Sequence, residues 1–310
     1  MLEAVGLRKV FKKNVAVDDI NLYLEEGESV GLLGPNGAGK STAISMISTL
    51  MDPTSGDVKW NGENVLKKPN KIRNVLGVVP QDIALYPELS AYENLKFFGK
   101  LYGLKGKELE LKITSVLDIV GLEERKNEQV SKYSGGMKRR INIAVALIHD
   151  PQIIIMDEPT VGIDPQSRNH ILEMVRRLNT EKGMTVLYTS HYMEEVERLC
   201  DRIYIMDHGK VIATGTKQEL ISILSSEETV LLTLDQSKQS FTERMKNLDG
   251  VLQVIENDTS LKLIVPKGSR LLGSIFNIAE SEEVQIVSAN IQVPTLEDVF
   301  LHLTGRKLRD

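Results

Sequence analysis

Apolar residues along this chain keep two rhythms: short unbroken runs, and longer stretches where they recur about every 3.6 positions. Residues 29–33 form an apolar run that ends in a glycine-rich loop, and residues 41–50, without Pro or Gly, continue beyond it as a helix. Residues 152–157 and 185–190 read as two more buried strands. Between them residues 165–179 read as a helix beginning at Pro165, with Asp164 as its cap. Buried strands alternating with helices predict a parallel α/β sheet, whose ligands bind at the carboxyl ends of the strands. Residues 89–146 read as a mostly helical insertion between the first and second core strands, and residues 204–213 as a hairpin late in the core.

After Leu224 the pattern restarts. Strand-like stretches at 229–234, 251–256, 261–265 and 284–289 are interleaved with helical stretches at 240–248 and 269–279, and a last helix is expected at 296–303. The order β-α-β-β-α-β plus a helix predicts a small ferredoxin-like α+β domain over residues 225–310. The join is expected at Ser225-Ser226-Glu227-Glu228, which leaves residues 1–224 as the first domain.

The densest chemistry lies between the first apolar run and its helix. Gly34-Pro35-Asn36-Gly37-Ala38-Gly39-Lys40-Ser41, followed by Thr42, fits G-x-x-x-x-G-K-[ST]. Glycines let backbone N–H groups turn inward around phosphate oxygens, and the following helix points its positive end at them. Lys40 is expected to reach the β- and γ-phosphates and Ser41 to hold Mg²⁺. The second apolar run ends in Asp157 and Glu158, an arrangement that suits metal holding by Asp157 and water polarisation by Glu158. Tyr133-Ser134-Gly135-Gly136-Met137 precedes a charged and apolar helix that Ser134 can cap, leaving free N–H groups aimed at an anion.

The order of these elements (phosphate loop, helical insert, Ser-Gly-Gly, acidic strand, late histidine) resembles the ABC ATPase family across residues 2–220. Its usual Leu-Ser-Gly-Gly-Gln is altered at both ends here, to Tyr133 and Met137, with the Ser-Gly-Gly centre intact. The resemblance implies an α/β P-loop NTPase core with a helical subdomain, ATP and Mg²⁺ as ligands, and ATP hydrolysis. It implies roles for Gln81 on metal and attacking water, Asp164 in the D-loop, His191 on the γ-phosphate, and Phe11 stacked on adenine. It further implies a head-to-tail pair of ATPase subunits, identical or not, in which Ser134, Gly135 and Gly136 of one face the phosphates of the other. The tail Pro294-Thr295-Leu296-Glu297-Asp298-Val299-Phe300-Leu301-His302-Leu303-Thr304-Gly305-Arg306 and the stretch from Leu85 to Leu95 look like the drug-resistance ATPases related to daunorubicin export. Similar ATPases serve sodium and polysaccharide export.

Composition narrows the alternatives. A net charge of -5 argues against a general nucleic-acid coat and against unaided adhesion to an anionic membrane. The single cysteine, Cys200, excludes an intrachain disulfide. No apolar run approaches the roughly 20 residues that span a bilayer, and the start Met1-Leu2-Glu3-Ala4 lacks the pattern of a signal peptide. Work at the cytoplasmic face of a membrane is therefore expected to pass through separate transmembrane permease subunits. The chain carries one phosphate loop and one Ser-Gly-Gly, which disfavours the tandem ABC proteins of translation, and no Asn-Lys-x-Asp of a GTPase.

Overall fold

A computed structural model describes residues 1–224, 227–292 and 294–305. In chain order the first part runs β1 (Leu2–Phe11), β2 (Asn14–Leu24), β3 (Ser29–Leu33), α1 (Lys40–Ile47), β4 (Ser55–Trp60), β5 (Glu63–Asn64), α2 (Asn70–Arg73), β6 (Leu76–Val79), α3 (Ala91–Leu101), α4 (Gly106–Ile119), α5 (Gly135–Leu147), β7 (Ile153–Met156), α6 (Pro165–Lys182), β8 (Thr185–Thr189), α7 (Met193–Leu199), β9 (Arg202–Asp207) and β10 (Lys210–Gly215). The second runs α8 (Lys217–Ser222), β11 (Glu227–Leu234), α9 (Gln239–Lys246), β12 (Gln253–Asn257), β13 (Ser260–Pro266), α10 (Leu272–Ser281), β14 (Ile286–Gln292) and α11 (Leu296–Thr304).

Two compact units divide between Thr216 and Lys217. The expected boundary after Leu224 falls later than this, because α8 packs on α11 and so groups with the second unit. Ser225 and Ser226 of the expected join lie outside the described residues, as does Arg306 of the tail.

In the first unit β9, β3, β8, β7 and β6 lie parallel, with β10 antiparallel at one edge. β3, β7 and β8 are buried along their whole length, which explains their unbroken apolar sequences. A second, antiparallel sheet, β2-β1-β4-β5, packs over α1, and Leu7, Leu24, Met46 and Ile47 fill the space between. This sheet is absent from the sequence reading. The insertion resolves into α3, α4 and α5. α3 starts in a capping box of Ser90 and Glu93, and α5 starts at Ser134, whose Oγ accepts the Met137 N–H at 3.3 Å. α6 begins as expected, with Asp164 accepting from the Ser167 N–H at 2.9 Å and Pro165 in its first turn.

In the second unit all strand pairs are antiparallel, in the order β12-β13-β11-β14. Leu232, Phe241, Met245 and Leu263 belong to its own core. α11 opens with a capping box of Thr295 and Asp298 and buries Leu296, Val299 and Phe300 completely. Lys262 of β13 lies 3.5 Å from Asp298, which ties α11 to the sheet of its own unit.

Candidate functional site

The loop between β3 and α1 is fixed before any ligand arrives. Gly39 sits at φ 100°, and a Cβ there would meet the Ala16 carbonyl oxygen at 2.4 Å, so only glycine lets the loop close on β2. The loop and the first turn of α1 line a cavity of ≈ 470 Å³ with Asn36, Gly37, Ala38, Gly39, Lys40, Ser41 and Thr42. Gln81 and Glu158 complete one wall. Asn14, Val15, Ala16, His208 and Gly209 also line it. None of these five stands out in the sequence.

Lys40 is 5% exposed, and its Nζ donates to the carbonyls of Gly34 at 2.8 Å and Pro35 at 3.2 Å. It also lies 3.6 Å from Glu158 Oε1. Burial pushes its pKa down, and the nearby charges of Glu158 and Asp157 push back. Glu158 stands where β7 ends, at φ 48°, a left-handed conformation that a side-chain-bearing residue holds at a penalty of about 1–2 kcal/mol. Its N–H donates to Thr189 Oγ1 at 2.8 Å, which stabilises the turn. The Thr189 hydroxyl in turn lies 2.8 Å from Asp157 Oδ1, so a single residue of β8 holds both acids.

Glu158 is also held through its carboxylate. Gln81 Nε2 donates to Oε2 at 3.1 Å, and His191 Nδ1 donates to Oε1 at 3.0 Å. Four predicted residues, Lys40, Gln81, Glu158 and His191, thus form one connected group. Asp157 is 8% exposed and does not line the cavity. A carboxylate held by two hydrogen bonds and an ion pair at a phosphate-loop cavity can accept a hydrogen bond from a water and orient it.

Phe11, Gly34, Pro35, Ser134, Gly135, Gly136, Asp164 and His191 are not part of this cavity lining. Phe11 ends β1, 44% exposed, with Lys9 Nζ 5.3 Å from its ring centre. Ser134 and Gly135 are exposed at the head of α5. Gly136 is buried, and a Cβ there would meet Ser167 Oγ at 2.1 Å, so glycine sets the close approach of α5 to α6. The Asp164 carboxylate accepts from the Ser167 N–H, which lowers its pKa.

A second cavity of ≈ 410 Å³ lies beside residues 80–84 and is mainly apolar, with Leu50, Val78, Pro80, Phe98, Tyr102 and Val145 in its walls. Leu50 is 69% and Tyr102 43% exposed. Close by, Tyr86 is 46% exposed and stands edge-on to Phe97, with ring centres 5.0 Å apart. Leu85 and Leu89 are half-buried.

Known proteins resemble this chain in sequence and in fold. The ABC transporter family model matches residues 17–161. The linearmycin resistance ATP-binding protein LnrL of Bacillus subtilis (strain 168) is 49% identical over 312 residues, covering 100% of both chains. The daunorubicin/doxorubicin resistance ATP-binding protein DrrA of Streptomyces peucetius is 35% identical over 311 residues, covering 100% of this chain and 94% of its own. Among solved structures, the dimeric post-hydrolysis state of the ATP-binding cassette MJ0796 bound to ADP and Pi has a TM-score of 0.65 at 30% identity, covering 70% of this chain and 98% of that one.

Proposed function

Since this chain belongs to the ABC transporter family, as an ATP-binding and ATP-hydrolysing subunit of the drug-resistance export type, we propose that it powers outward passage of an antibiotic or other amphiphilic natural product through separate membrane subunits. The observation that carries the choice of load is the 49% identity to a linearmycin resistance ATP-binding protein across the whole of both chains. The test is deletion of the gene, which should sensitise the cell to a membrane-active natural product. Unchanged sensitivity across a broad antibiotic panel, with a defect in sodium or polysaccharide export, would select the alternative load.

ATP is the substrate. The N–H groups of residues 36–42 and the N-terminus of α1 receive its phosphates, and Lys40 exchanges its bonds to the Gly34 and Pro35 carbonyls for phosphate oxygens. Glu158 takes the proton of the attacking water, while His191 and Gln81 hold its carboxylate in place. Phe11 supplies an exposed ring for the adenine. Ser41, Asp157 and the Gln81 side-chain oxygen would hold Mg²⁺, for which oxygen is the suited donor. When bound, Mg²⁺ neutralises charge that develops on the phosphates.

Ser134, Gly135 and Gly136 act on the ATP of a facing subunit, and Asp164 lies at the same dimer seam. Their separation from the phosphate-loop cavity of their own chain supports this, as does the dimeric state of the solved relative. The apolar cavity beside residues 80–84 receives a cytoplasmic helix of the membrane partner. No helix among the described residues is long and apolar enough to cross a membrane itself. The second unit is a ferredoxin-like module, a reading supported by its strand order β14-β11-β13-β12 with α9 and α10 between strands.

A further inference from the structure

α5 does more than present Ser134. Arg139 Nη1 donates to the Pro80 carbonyl at 2.8 Å and Nη2 to the Gln81 carbonyl at 2.6 Å. One turn further, Asn142 Oδ1 accepts the Ala84 N–H at 3.2 Å. Positions three apart share a helix face, so two side chains of one helix clasp both ends of residues 80–84.

Both side chains are buried, Arg139 at 5% and Asn142 at 3% exposure. Burial pushes the Arg139 pKa down, and its Nε has no hydrogen-bond partner. A guanidinium buried at that expense must be needed for its shape. Its planar fork can bond two successive carbonyls at once, whereas a lysine ammonium acts as a single point charge. The clasp has a direct chemical consequence at one of the residues it holds. Gln81, whose backbone Arg139 holds, donates from Nε2 to Glu158 Oε2 at 3.1 Å.

We infer that Arg139 is a positioning residue for hydrolysis, fixing Gln81 against the Glu158 carboxylate. The inference rests on the roles proposed above for Gln81 and Glu158.

The experiment is a double-mutant cycle on the full-length chain, reading kcat and KM for ATP separately. Arg139→Lys and Arg139→Gln are each made alone and with Gln81→Ala. Losing one arm of a charged hydrogen-bond pair should lower kcat by about ten-fold or more, with KM changed by less than roughly two-fold. In the Gln81→Ala background the Arg139 substitutions should lower kcat no further, since the side chain they position is gone. An equal loss in both backgrounds overturns the inference, because Arg139 then acts only on general stability; so does an unchanged kcat in the wild-type background. If Arg139→Lys fails to fold by circular dichroism, Arg139→Gln carries the same comparison. Glu158→Gln is the separate control. Wild-type turnover there sinks the site reading and this inference together, whereas its loss beside an unaffected Arg139→Lys sinks this inference alone.

Discussion

Lys40 Nζ lies 3.6 Å from Glu158 Oε1, and both side chains are nearly sealed from water, at 5% and 6% exposure. Each keeps other partners: Lys40 the carbonyls of Gly34 and Pro35, Glu158 the side chains of Gln81 and His191. Removing one charge therefore need not collapse the site. The two residues also divide the work, one toward phosphate and one toward water.

Lys40→Ala should weaken ATP binding, by about 1.5–3 kcal/mol for a lost charged hydrogen bond. Glu158→Gln should retain ATP binding and lower turnover by on the order of 10²–10⁴, trapping an ATP-bound dimer. Equilibrium nucleotide binding and single-turnover hydrolysis separate the two effects. Wild-type turnover in Glu158→Gln would show that another group is the base.

Thr189 joins both acids, taking the Glu158 N–H on its hydroxyl and lying against Asp157 Oδ1. Thr189→Val keeps the shape and strands a buried N–H, which should reduce stability by about 1–3 kcal/mol. The Mg²⁺ concentration needed for half-maximal activity should rise as well, while Thr189→Ser restores both. Thermal melts with a Mg²⁺ titration provide the check, and an unshifted Mg²⁺ response in Thr189→Val would remove Asp157 from the metal.

Thr189 also shows where sequence stops being informative. Lys40, Ser41, Asp157 and Glu158 stand out as candidates because they lie in contiguous loops that follow apolar strands. Thr189 is one hydroxyl at the end of a buried strand, and nothing local marks it. Gln81, Asp164, His191 and Phe11 became candidates only through family resemblance. The antiparallel sheet was illegible for a different reason: β1 breaks register with β2 between Ala4 and Leu7, Leu7 and Lys9, and Lys9 and Val10, with Gly6 at φ 58°. Each irregularity shifts the alternation of faces by which a half-buried strand is read. Asn14, Val15 and Ala16 were lost with that sheet, and His208 was hidden in a hairpin turn.

Gly136→Ala should disturb the seam between α5 and α6, because the new methyl would meet Ser167 Oγ at 2.1 Å and its Cβ at 2.5 Å. Overpacking of this kind lowers stability by about 1–3 kcal/mol. Ser167→Gly in the same chain should recover part of that loss, since it removes both clashing atoms while the Asp164 cap keeps its bond to the backbone N–H of residue 167. Melting of the two single variants and the double variant measures it; no recovery would place the strain elsewhere.

Cys200 should make stability fall at alkaline pH. Burial pushes its thiol up to about 12, so the folded chain keeps that proton after an unfolded one, near pKa 8.5, has released it. The folded state then binds more protons, and stability drops with rising pH from about 8.5 toward 12, by at most about 1.4 kcal/mol per pH unit from this group. Urea unfolding of wild type and Cys200→Ala between pH 8 and 11 should give a shallower decline for the variant. Parallel curves would mean that the thiol titrates normally.

The second unit should be removable without loss of nucleotide binding, provided the cut respects its packing. Its core is its own, with Leu232, Phe241, Leu263 and Ile275 fully buried among one another. Among the described residues, the cavity around the phosphate loop draws only on residues 14–209. The position of the cut matters because α8 belongs with α11. Leu220 and Leu224, 1% and 3% exposed in the whole chain, lose their cover if the chain is ended after Leu224. Burying a leucine contributes about 1.5–3 kcal/mol, and two bared side chains invite association. A chain ended after Thr216 should therefore bind ATP with the affinity of the full chain and remain monomeric without nucleotide. One ended after Leu224 should bind equally well but associate or precipitate. Calorimetric ATP titration and light scattering on the two fragments decide the matter. A folded 1–216 fragment that has lost ATP affinity would show that the second unit completes the site.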